Sequence, residues 1–198
     1  MSQSPKILEF LFETASLRRT PRTGYQFLGQ GQESVAEHSF GVTVIAFVLA
    51  RLAKGANLEK ILKMALFHDL AEARTGDLNY VNKRYVKALE TEAMTDAVKG
   101  LPFEAELMEL FNEWRAGETL EAQLAADADQ LDMMLELRRL ASQGLTQATE
   151  WFGYAVLRLK TDLAKTLAKE LSQTDPDGWW FKRRAELWIN PALKGEES

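Results

Sequence analysis

Cysteine is absent from this sequence of 198 residues, and histidine occurs only twice. A chain without cysteine can form neither a disulfide framework nor a thiolate metal site, and it has no cysteine nucleophile. Any metal that it binds must therefore be held by nitrogen and oxygen atoms. The lack of thiols also fits a reducing compartment, and we expect a cytoplasmic protein.

Long apolar runs and an excess of basic residues are missing as well. The longest apolar run, residues 42–50, is far shorter than the roughly 20 residues that a membrane-spanning helix needs. The first residues carry glutamates on both sides of a short apolar part, which is not the pattern of a secretory signal peptide. A net charge of -5 disfavours nucleic acid as a partner, because phosphate backbones bind basic surfaces. We therefore predict no membrane and no nucleic acid partner, while a small anionic substrate is compatible with this charge.

The residues that are present favour a helical protein. The chain is 46% hydrophobic and 27% charged, a globular balance, and its 12 glycines and 5 prolines form no linker. Apolar residues recur at helical spacing along nearly the whole chain, and the period-two alternation typical of strands is not found. These patterns predict an all-α protein with a single domain over residues 1–198.

The helix boundaries follow from capping and breaking residues. Ser34 and Glu37 form a capping-box pattern, so a helix is expected to begin there. Helices are predicted over residues 7–18, 34–55, 57–75, 85–101, 103–117, 119–144 and 147–171, with a polar loop over 20–34. The aromatic residues after the last helix are predicted to pack in the core or at a dimer contact. They are Trp179, Trp180, Phe181 and Trp188.

Polar residues interrupt the apolar stripe of the predicted 57–75 helix. Ile61, Leu62 and Ala65 lie on this stripe, and His68, Asp69 and Glu72 take the same three places seven residues later. Each unpaired ion buried there would cost several kcal/mol, so a divalent cation is an obvious compensating partner. A structural histidine–aspartate pair is the alternative, but the other histidine, His38, lies near the start of the preceding helix. Both histidines can reach one metal only if a crossing angle or a bend corrects a register gap of one or two helical turns.

Four short segments carry a resemblance to a known family. They are PRTG at 21–24, ESVAEHSF at 33–40, FHDLAEARTGDL at 67–78 and ADQLD at 128–132. Together they resemble the HD domain superfamily, whose signature is the order His, His-Asp, Asp, and they are most similar to its 5'-deoxynucleotidase branch. The resemblance extends over about residues 18–137 and implies an HD-domain helical bundle that the C-terminal helices complete.

The resemblance implies a metal site and a proton-transfer group. The implied metal ligands are His38, His68, Asp69 and Asp129. Helical periodicity alone leaves both Asp127 and Asp129 able to point inward, and only the family pattern selects Asp129, with structural roles expected for Asp127 and Asp132. Glu72 is expected to act as a general acid or base, or else to orient a ligand histidine. Nitrogen and carboxylate ligands suit Mn, Co, Zn, Mg or Fe and select none of them.

Three further residues are implied to contact the substrate. Arg22 matches an arginine that faces the phosphate, a group that a guanidinium can hold by two hydrogen bonds, although most surface arginines are only solvated. Tyr25 stands where related sequences often carry tryptophan, beside the sugar, and this difference leaves the sugar preference open. Asp77 matches a substrate contact, and helix capping is its alternative role.

The function expected from these residues is hydrolysis of a deoxyribonucleoside 5'-monophosphate to nucleoside and inorganic phosphate. Other HD branches act on cyclic nucleotides, deoxynucleoside triphosphates or alarmones, so these substrates are alternatives. A non-catalytic sensor that binds metal or nucleotide is a second alternative, and a purely structural helical protein is a third. The family and the aromatic C-terminal stretch also lead us to expect a homodimer.

Overall fold

A computed structural model describes residues 4–182, and these residues fold mainly into helices. The α-helices are α1 (Ser4–Ser16), α2 (Val35–Leu52), α3 (Leu58–Phe67), α4 (Glu72–Thr75), α5 (Glu90–Val98), α6 (Glu104–Ala116), α7 (Leu120–Ser142), α8 (Thr146–Val156) and α9 (Asp162–Gln173). Short 3-10 turns cover Leu17–Arg19, Thr23–Phe27 and Asn82–Arg84, and a π turn covers Gly178–Lys182. Within residues 4–182 the only β feature is an isolated bridge between Pro21 and Ser34, so the predicted all-α fold is confirmed.

Helix α7 is the centre of the fold. It packs against α2, α3, α6, α8 and α9, and α2 also packs along α3. Val42, Ala46 and Leu49 of α2 belong to one buried cluster with Met134 and Leu137 of α7. Removing such apolar surface from water stabilises the fold by about 25 cal/mol per Å². The helices α2, α3 and α7 therefore form a packed frame.

A second buried cluster lies next to the first. Phe10 of α1, Met94 of α5 and Leu107 of α6 belong to it, and residues of the three frame helices border both clusters. On α2, Val35 belongs to the second cluster and Val42 to the first. The two buried residues between them, His38 and Ser39, are polar, so these side chains lie where the two apolar clusters meet.

Helix α2 is more apolar than a helix with one buried face requires. By length and composition it is the one helix within residues 4–182 that could cross a membrane. The core helix of a folded domain passes the same test, and α2 buries one face against α3 and α7. At four-residue spacing, Phe40, Val44, Val48 and Leu52 are 72%, 49%, 43% and 56% exposed. These four residues form the outer stripe of α2.

Two predicted helices are interrupted in the structure. The helix predicted over 57–75 ends at Phe67, and a tight turn over 68–71 precedes the short α4. The helix predicted over 147–171 is split into α8 and α9, because Asp127 of α7 accepts hydrogen bonds from the backbone N–H groups of Lys160 and Thr161. Helical periodicity continues through both interruptions, which is why the sequence did not indicate them.

The ends of the elements agree with the sequence in part. The predicted capping box is present, since Ser34 Oγ accepts from the N–H of Glu37 and the Glu37 carboxylate accepts from the N–H of Ser34. Residues 85–89 lie outside α5, although they were predicted to be helical. Trp179 is 79% exposed, so of the two predicted environments the core is wrong for this residue, and a dimer contact stays a prediction. Trp188 lies outside the described residues.

Candidate active site

The two histidines of the chain lie side by side. His38 is on α2, one turn after the capping box, and His68 follows directly after α3. Their ring centroids are 5.4 Å apart, and both side chains are almost fully buried. The register gap expected between two straight helices is therefore closed by the way in which α2 and α3 pack.

Hydrogen bonds determine which nitrogen of each ring carries the proton. His68 Nδ1 lies 2.9 Å from the backbone oxygen of Ala65, and His38 Nδ1 lies 2.8 Å from Asp132 Oδ2. Both partners are acceptors, so each Nδ1 carries a hydrogen and donates it. In the neutral ring the lone pair is then on Nε2, the nitrogen that metals commonly bind.

The Nε2 atoms of both histidines are buried and have no hydrogen-bond partner among the described residues. Carboxylate oxygens are nevertheless close, because Asp129 Oδ1 lies 3.0 Å from His38 Nε2 and Asp69 Oδ2 lies 3.1 Å from His68 Nε2. These pairs have the distance of an ion pair without the alignment of a hydrogen bond. A buried polar atom without a partner costs about 1–3 kcal/mol. A cation would satisfy both nitrogens, and ligand atoms of His38, His68 and Asp69 all lie within 4.8 Å of one another.

The two aspartates of the site come from different elements. Asp69 lies in the turn after α3, and Asp129 lies on α7. Burial alone would raise the pKa of both, but His68 lowers the pKa of Asp69 and His38 lowers that of Asp129, so both stay ionised. Asp69 Oδ2 also lies 3.6 Å from His38 Nε2. The site therefore combines two imidazoles with two anionic oxygen donors, a set that fits a borderline or hard divalent ion.

The carboxylates around His38 favour a positive charge on its imidazole ring. Burial would lower the pKa of His38, but the carboxylates of Asp129 and Asp132 raise it to about 10. Without a cation, a proton on the imidazole therefore balances the nearby negative charge. A divalent ion would do so more completely, because two carboxylates and Nε2 lone pairs can then share one centre.

Three aspartates of α7 make different contacts. Asp129 lies next to Nε2 of His38, as described above. Asp127 is fully buried and accepts from the backbone N–H groups of Lys160 and Thr161 at 2.6 and 2.9 Å and from the Thr161 hydroxyl at 2.6 Å, so it holds the start of α9. Asp132 contacts the imidazole on α2 at its other nitrogen. The geometry agrees with the family pattern that selects Asp129, and its role as a ligand stays a prediction.

Glu72 is the first residue of α4, and the negative charges of Asp69 and Asp77 act on its carboxyl group. Its Oε2 atom is buried and has no hydrogen-bond partner among the residues that the structure describes. Burial raises the pKa of Glu72 to about 9, and the negative charges of Asp69 and Asp77 add to this effect. In the metal-free chain this carboxyl group is therefore protonated at neutral pH and can donate a proton.

Arg22 reaches the same site from the loop between α1 and α2, where it directly precedes the 3-10 turn Thr23–Phe27. Its Nη1 atom lies 3.4 Å from Asp69 Oδ2, and its side chain is 18% exposed. Burial alone would lower the pKa of Arg22, but nearby carboxylates raise it above its ordinary value. They belong to Asp69, Asp129, Asp77 and Glu72. The contact with Asp69 is long and uses one of five N–H donors, so the guanidinium fork is available to a phosphate group.

Asp77 fastens the loop that carries Arg22. Its Oδ2 atom accepts from the N–H of Thr23 at 2.8 Å, and its backbone oxygen accepts from the Thr23 hydroxyl at 2.9 Å. Thr23 begins the 3-10 turn Thr23–Phe27, so Asp77 caps a turn that is distant in sequence and does not cap the segment that follows it. Asp77 therefore holds a distant turn and is not the N-cap that the alternative expected, and a substrate contact stays a prediction.

A cavity of about 620 Å³ opens beside Arg22 and Asp77. Its aromatic lining residues are Tyr25, Tyr80, Trp151 and Tyr154, and charged side chains at its wall are Lys83, Glu150 and Arg158. The rings of Tyr80 and Trp151 meet edge to face with their centroids 6.2 Å apart. Trp151 was not predicted as a site residue, because it lies on α8, beyond the residues 18–137 that carry the resemblance.

Similarity to known proteins extends over most of the chain. The sequence profile of the HD domain matches residues 14–172. The human protein 5'-deoxynucleotidase HDDC2 is 33% identical over 138 residues, which cover 66% of this chain and 66% of that protein. The 5'-deoxynucleotidase hdd1 of Schizosaccharomyces pombe is 31% identical over 146 residues, which cover 69% of this chain and 73% of that protein. The chain thus spans about two thirds of the length of these curated relatives.

A solved structure is similar to this one along most of its length. It is a protein of Pyrococcus horikoshii OT3, with a TM-score of 0.68 and 32% sequence identity. The match covers 84% of this chain and 98% of that chain. The helical arrangement described above is therefore shared with nearly the whole of that chain.

Proposed function

The chain belongs to the HD domain family, and on that basis we propose that it is a metal-dependent phosphohydrolase acting on deoxyribonucleoside 5'-monophosphates. The products are a nucleoside and inorganic phosphate. One observation carries the proposal, the buried and unpartnered Nε2 atoms of His38 and His68 beside the carboxylates of Asp69 and Asp129. The substrate class rests on the curated relatives, which are named 5'-deoxynucleotidases.

Four side chains would hold the ion. They are His38, His68, Asp69 and Asp129. When bound, such an ion supplies an acidified water molecule and neutralises charge on the phosphate oxygens. Mn, Co, Zn, Mg and Fe all suit this set of nitrogen and oxygen ligands, so the identity of the ion is left to measurement.

Arg22 and Glu72 act on the substrate in this proposal. Arg22 binds the phosphate, because its guanidinium fork can make two parallel hydrogen bonds with phosphate oxygens. In the reaction, the water oxygen forms a bond to phosphorus and the bond between phosphorus and the 5' oxygen breaks. The carboxyl group of Glu72 gives its proton to that 5' oxygen, so the nucleoside leaves as a neutral alcohol. One proton of the attacking water then returns to the Glu72 carboxylate, which restores the carboxyl group as inorganic phosphate leaves.

The cavity beside Arg22 supports a nucleoside group rather than a bare phosphate. Its volume of about 620 Å³ falls in the range of roughly 300–1,000 Å³ that is typical of small-molecule pockets. Tyr80 and Trp151 offer aromatic surface on which a base can pack, and Glu150 offers an acceptor for its polar edge. Tyr25 lines the same cavity and is the residue that we expect beside the sugar.

Metal content and phosphate release, measured on the same samples, test this proposal. The samples are the wild-type chain, Asp69→Ala and the control Asp162→Ala, whose side chain is fully exposed. We expect the wild type and the control to bind metal and to release phosphate from deoxynucleoside monophosphates, and Asp69→Ala to lose both properties. Cyclic nucleotides, triphosphates and alarmones in the same panel test the alternative substrates. Metal uptake without any hydrolysis would favour the sensor, and no uptake with any added ion would overturn the proposal.

A homodimer, a cytoplasmic location and a single domain over residues 1–198 also belong to the proposal. The outer stripe of α2 supports the dimer, because exposed apolar patches mark contact surfaces and a two-fold axis brings the same stripe of both copies together. Light scattering on the wild type and on Val44→Lys tests it. We expect the mass to halve in the variant, and a monomeric wild type would contradict the dimer. The absence of cysteine supports the cytoplasmic location.

A further inference from the structure

We propose that Asp132 is a positioning residue that holds His38 in the tautomer and orientation needed to bind the metal, and that Gly41 provides the space for its carboxylate. Asp132 Oδ2 lies 2.8 Å from His38 Nδ1, whereas Asp129 approaches the other ring nitrogen. His38 is 0% exposed, so bulk water does not reach this contact. The inference rests on the proposed metal site and gives a role there to two residues outside the ligand set.

Gly41 is otherwise an unfavourable residue for its position. It lies inside α2, where glycine costs about 0.5–1 kcal/mol relative to alanine. Its φ angle is not positive, so the backbone conformation does not require glycine. A Cβ atom built on Gly41 would overlap with the carboxylate of Asp132. The carboxylate of Asp132, rather than the backbone, therefore accounts for the glycine.

The two histidines are held in different ways. His68 donates to the backbone oxygen of Ala65, a neutral acceptor from its own helix. His38 donates to a carboxylate that is 94 residues away in sequence. An anionic partner on Nδ1 fixes the lone pair on Nε2 and makes that nitrogen a stronger ligand. The loss of such a partner typically weakens metal binding about 10–100-fold.

A second cation site is the rival explanation of the same cluster. Glu33, His38 and Asp132 each offer one atom, and these atoms lie within 4.8 Å of one another. Both carboxylates already accept a hydrogen from the protein, because Asp132 accepts from His38 and Glu33 Oε2 accepts from the Tyr25 hydroxyl at 3.2 Å. Two acids that are each engaged in this way favour a hydrogen-bonded assembly over a second cation.

Zinc affinity of the full chain is the first test. Competition with a chromophoric chelator compares the wild type with Asp132→Ala, Asp132→Asn and Gly41→Ala. We expect the affinity to fall about 10–100-fold in Asp132→Ala and Gly41→Ala, and less in Asp132→Asn, which keeps an oxygen acceptor. The matched control is Gly153→Ala, because this helical glycine has nothing within 4 Å of an added Cβ atom. Gly153→Ala should bind zinc like the wild type.

Imidazole nitrogen NMR on the zinc-loaded chain tests the positioning role itself. The chain contains two histidines, so the spectrum contains only two rings. In the wild type we expect a proton on Nδ1 of both rings, with slow exchange at His38. In Asp132→Ala, His38 should lose this protected proton while His68 keeps its own. A merely structural role of Asp132 would lower stability without changing the spectrum of His38.

The outcomes separate this inference from the proposed function. Unchanged zinc affinity and an unchanged His38 spectrum in Asp132→Ala would overturn this inference alone. Two zinc ions in the wild type, with one lost in Asp132→Ala, would overturn it in favour of the second cation site. A wild type that binds none of the candidate ions would overturn the proposed function, and this inference with it. If Asp132→Ala does not fold, Gly41→Ala, whose Cβ atom would displace the same carboxylate, decides by the same two measurements.

Discussion

The metal half and the cavity half of the candidate site are built differently. The metal half consists of two buried histidines and two ionised aspartates on or next to the frame helices α2, α3 and α7. The cavity half is formed by the loop around Arg22 and by aromatic side chains such as Tyr80 and Tyr154, which are 60% and 58% exposed. Removal of one buried charge leaves its partner uncompensated and destabilises the fold strongly. Replacement of a half-exposed ring changes the free energy of unfolding only modestly. The reaction and the choice of substrate should therefore be separable by mutation.

The largest effect is expected from Asp129→Ala in the metal half. Loss of one ligand removes much of the several kcal/mol that an ion contributes, so kcat/KM should fall about 1,000-fold together with the metal content. Asp127→Ala, two residues away, is the matched control. It breaks the hydrogen bonds to Lys160 and Thr161, so we expect it to lose about 1–3 kcal/mol of unfolding free energy and to keep its metal. Metal analysis and urea unfolding measure both effects, and equal metal content in the two variants would show that the choice of Asp129 is wrong.

A large effect on turnover alone is expected from Glu72→Gln. The amide cannot donate the proton of a carboxyl group, so kcat should fall about 100- to 10,000-fold. Metal content and KM should stay near their wild-type values, as in the control Glu118→Gln on an exposed glutamate. Steady-state kinetics and metal analysis measure these quantities. Loss of the metal in Glu72→Gln would instead indicate that Glu72 orients a ligand.

A smaller and selective effect is expected in the cavity half. Trp151→Ala removes aromatic surface from the cavity, so kcat/KM for a deoxynucleoside monophosphate should fall about 10-fold. Turnover of glycerol phosphate, which has no base, should change little because the metal half is intact. The exposed Trp179 supplies a control variant, Trp179→Ala. An equal loss for both substrates would mean that Trp151 supports the fold and not the base.

The smallest effect concerns the stability of the chelator-treated chain. Because the pKa of Glu72 is raised from 4.5 to about 9, the folded chain keeps a proton that the unfolded chain releases above about pH 4.5. Stability is therefore lost as the pH rises from about 4.5 towards 9. Glu72→Gln lacks this titration, so its stability relative to the wild type should rise steadily between pH 5 and pH 8. Urea unfolding at these two pH values measures the change, and a constant difference would contradict the raised pKa.

The fold class and much of the metal half were predictable because they depend on local patterns. The capping box of Ser34 and Glu37 lies within one helical turn, and His68 and Asp69 are neighbours in sequence. The predicted HD family is confirmed by a match over residues 14–172, and the function rests on it. The three motifs that contain His38, His68 and Asp129 follow one another along the chain and also lie within that match.

The rest of the site depends on contacts between distant residues, which helical periodicity does not encode. Asp127 reaches Lys160 across 33 residues and interrupts a helix there. Asp132 reaches His38 across 94 residues, so an expected structural aspartate is a direct neighbour of the metal half. Trp151 enters the cavity from α8, where its local sequence resembles any amphipathic helix.

Within less than two turns of α7, three aspartates make contacts with two partners, the start of α9 and His38. Asp127 holds α9, Asp129 lies beside Nε2 of His38, and Asp132 holds His38 from its other side. An insertion or a small rotation of α7 would disturb all three contacts together. Helix α8 carries a lighter burden at the cavity, because Glu150, Trp151 and Tyr154 line it with side chains that solvent reaches, whereas Ala155 belongs to the buried core. A lineage descended from such a chain can therefore acquire new substrates through these three positions while retaining its chemistry. A library that seeks a new specificity should randomise them and leave α7 and the buried face of α8 intact.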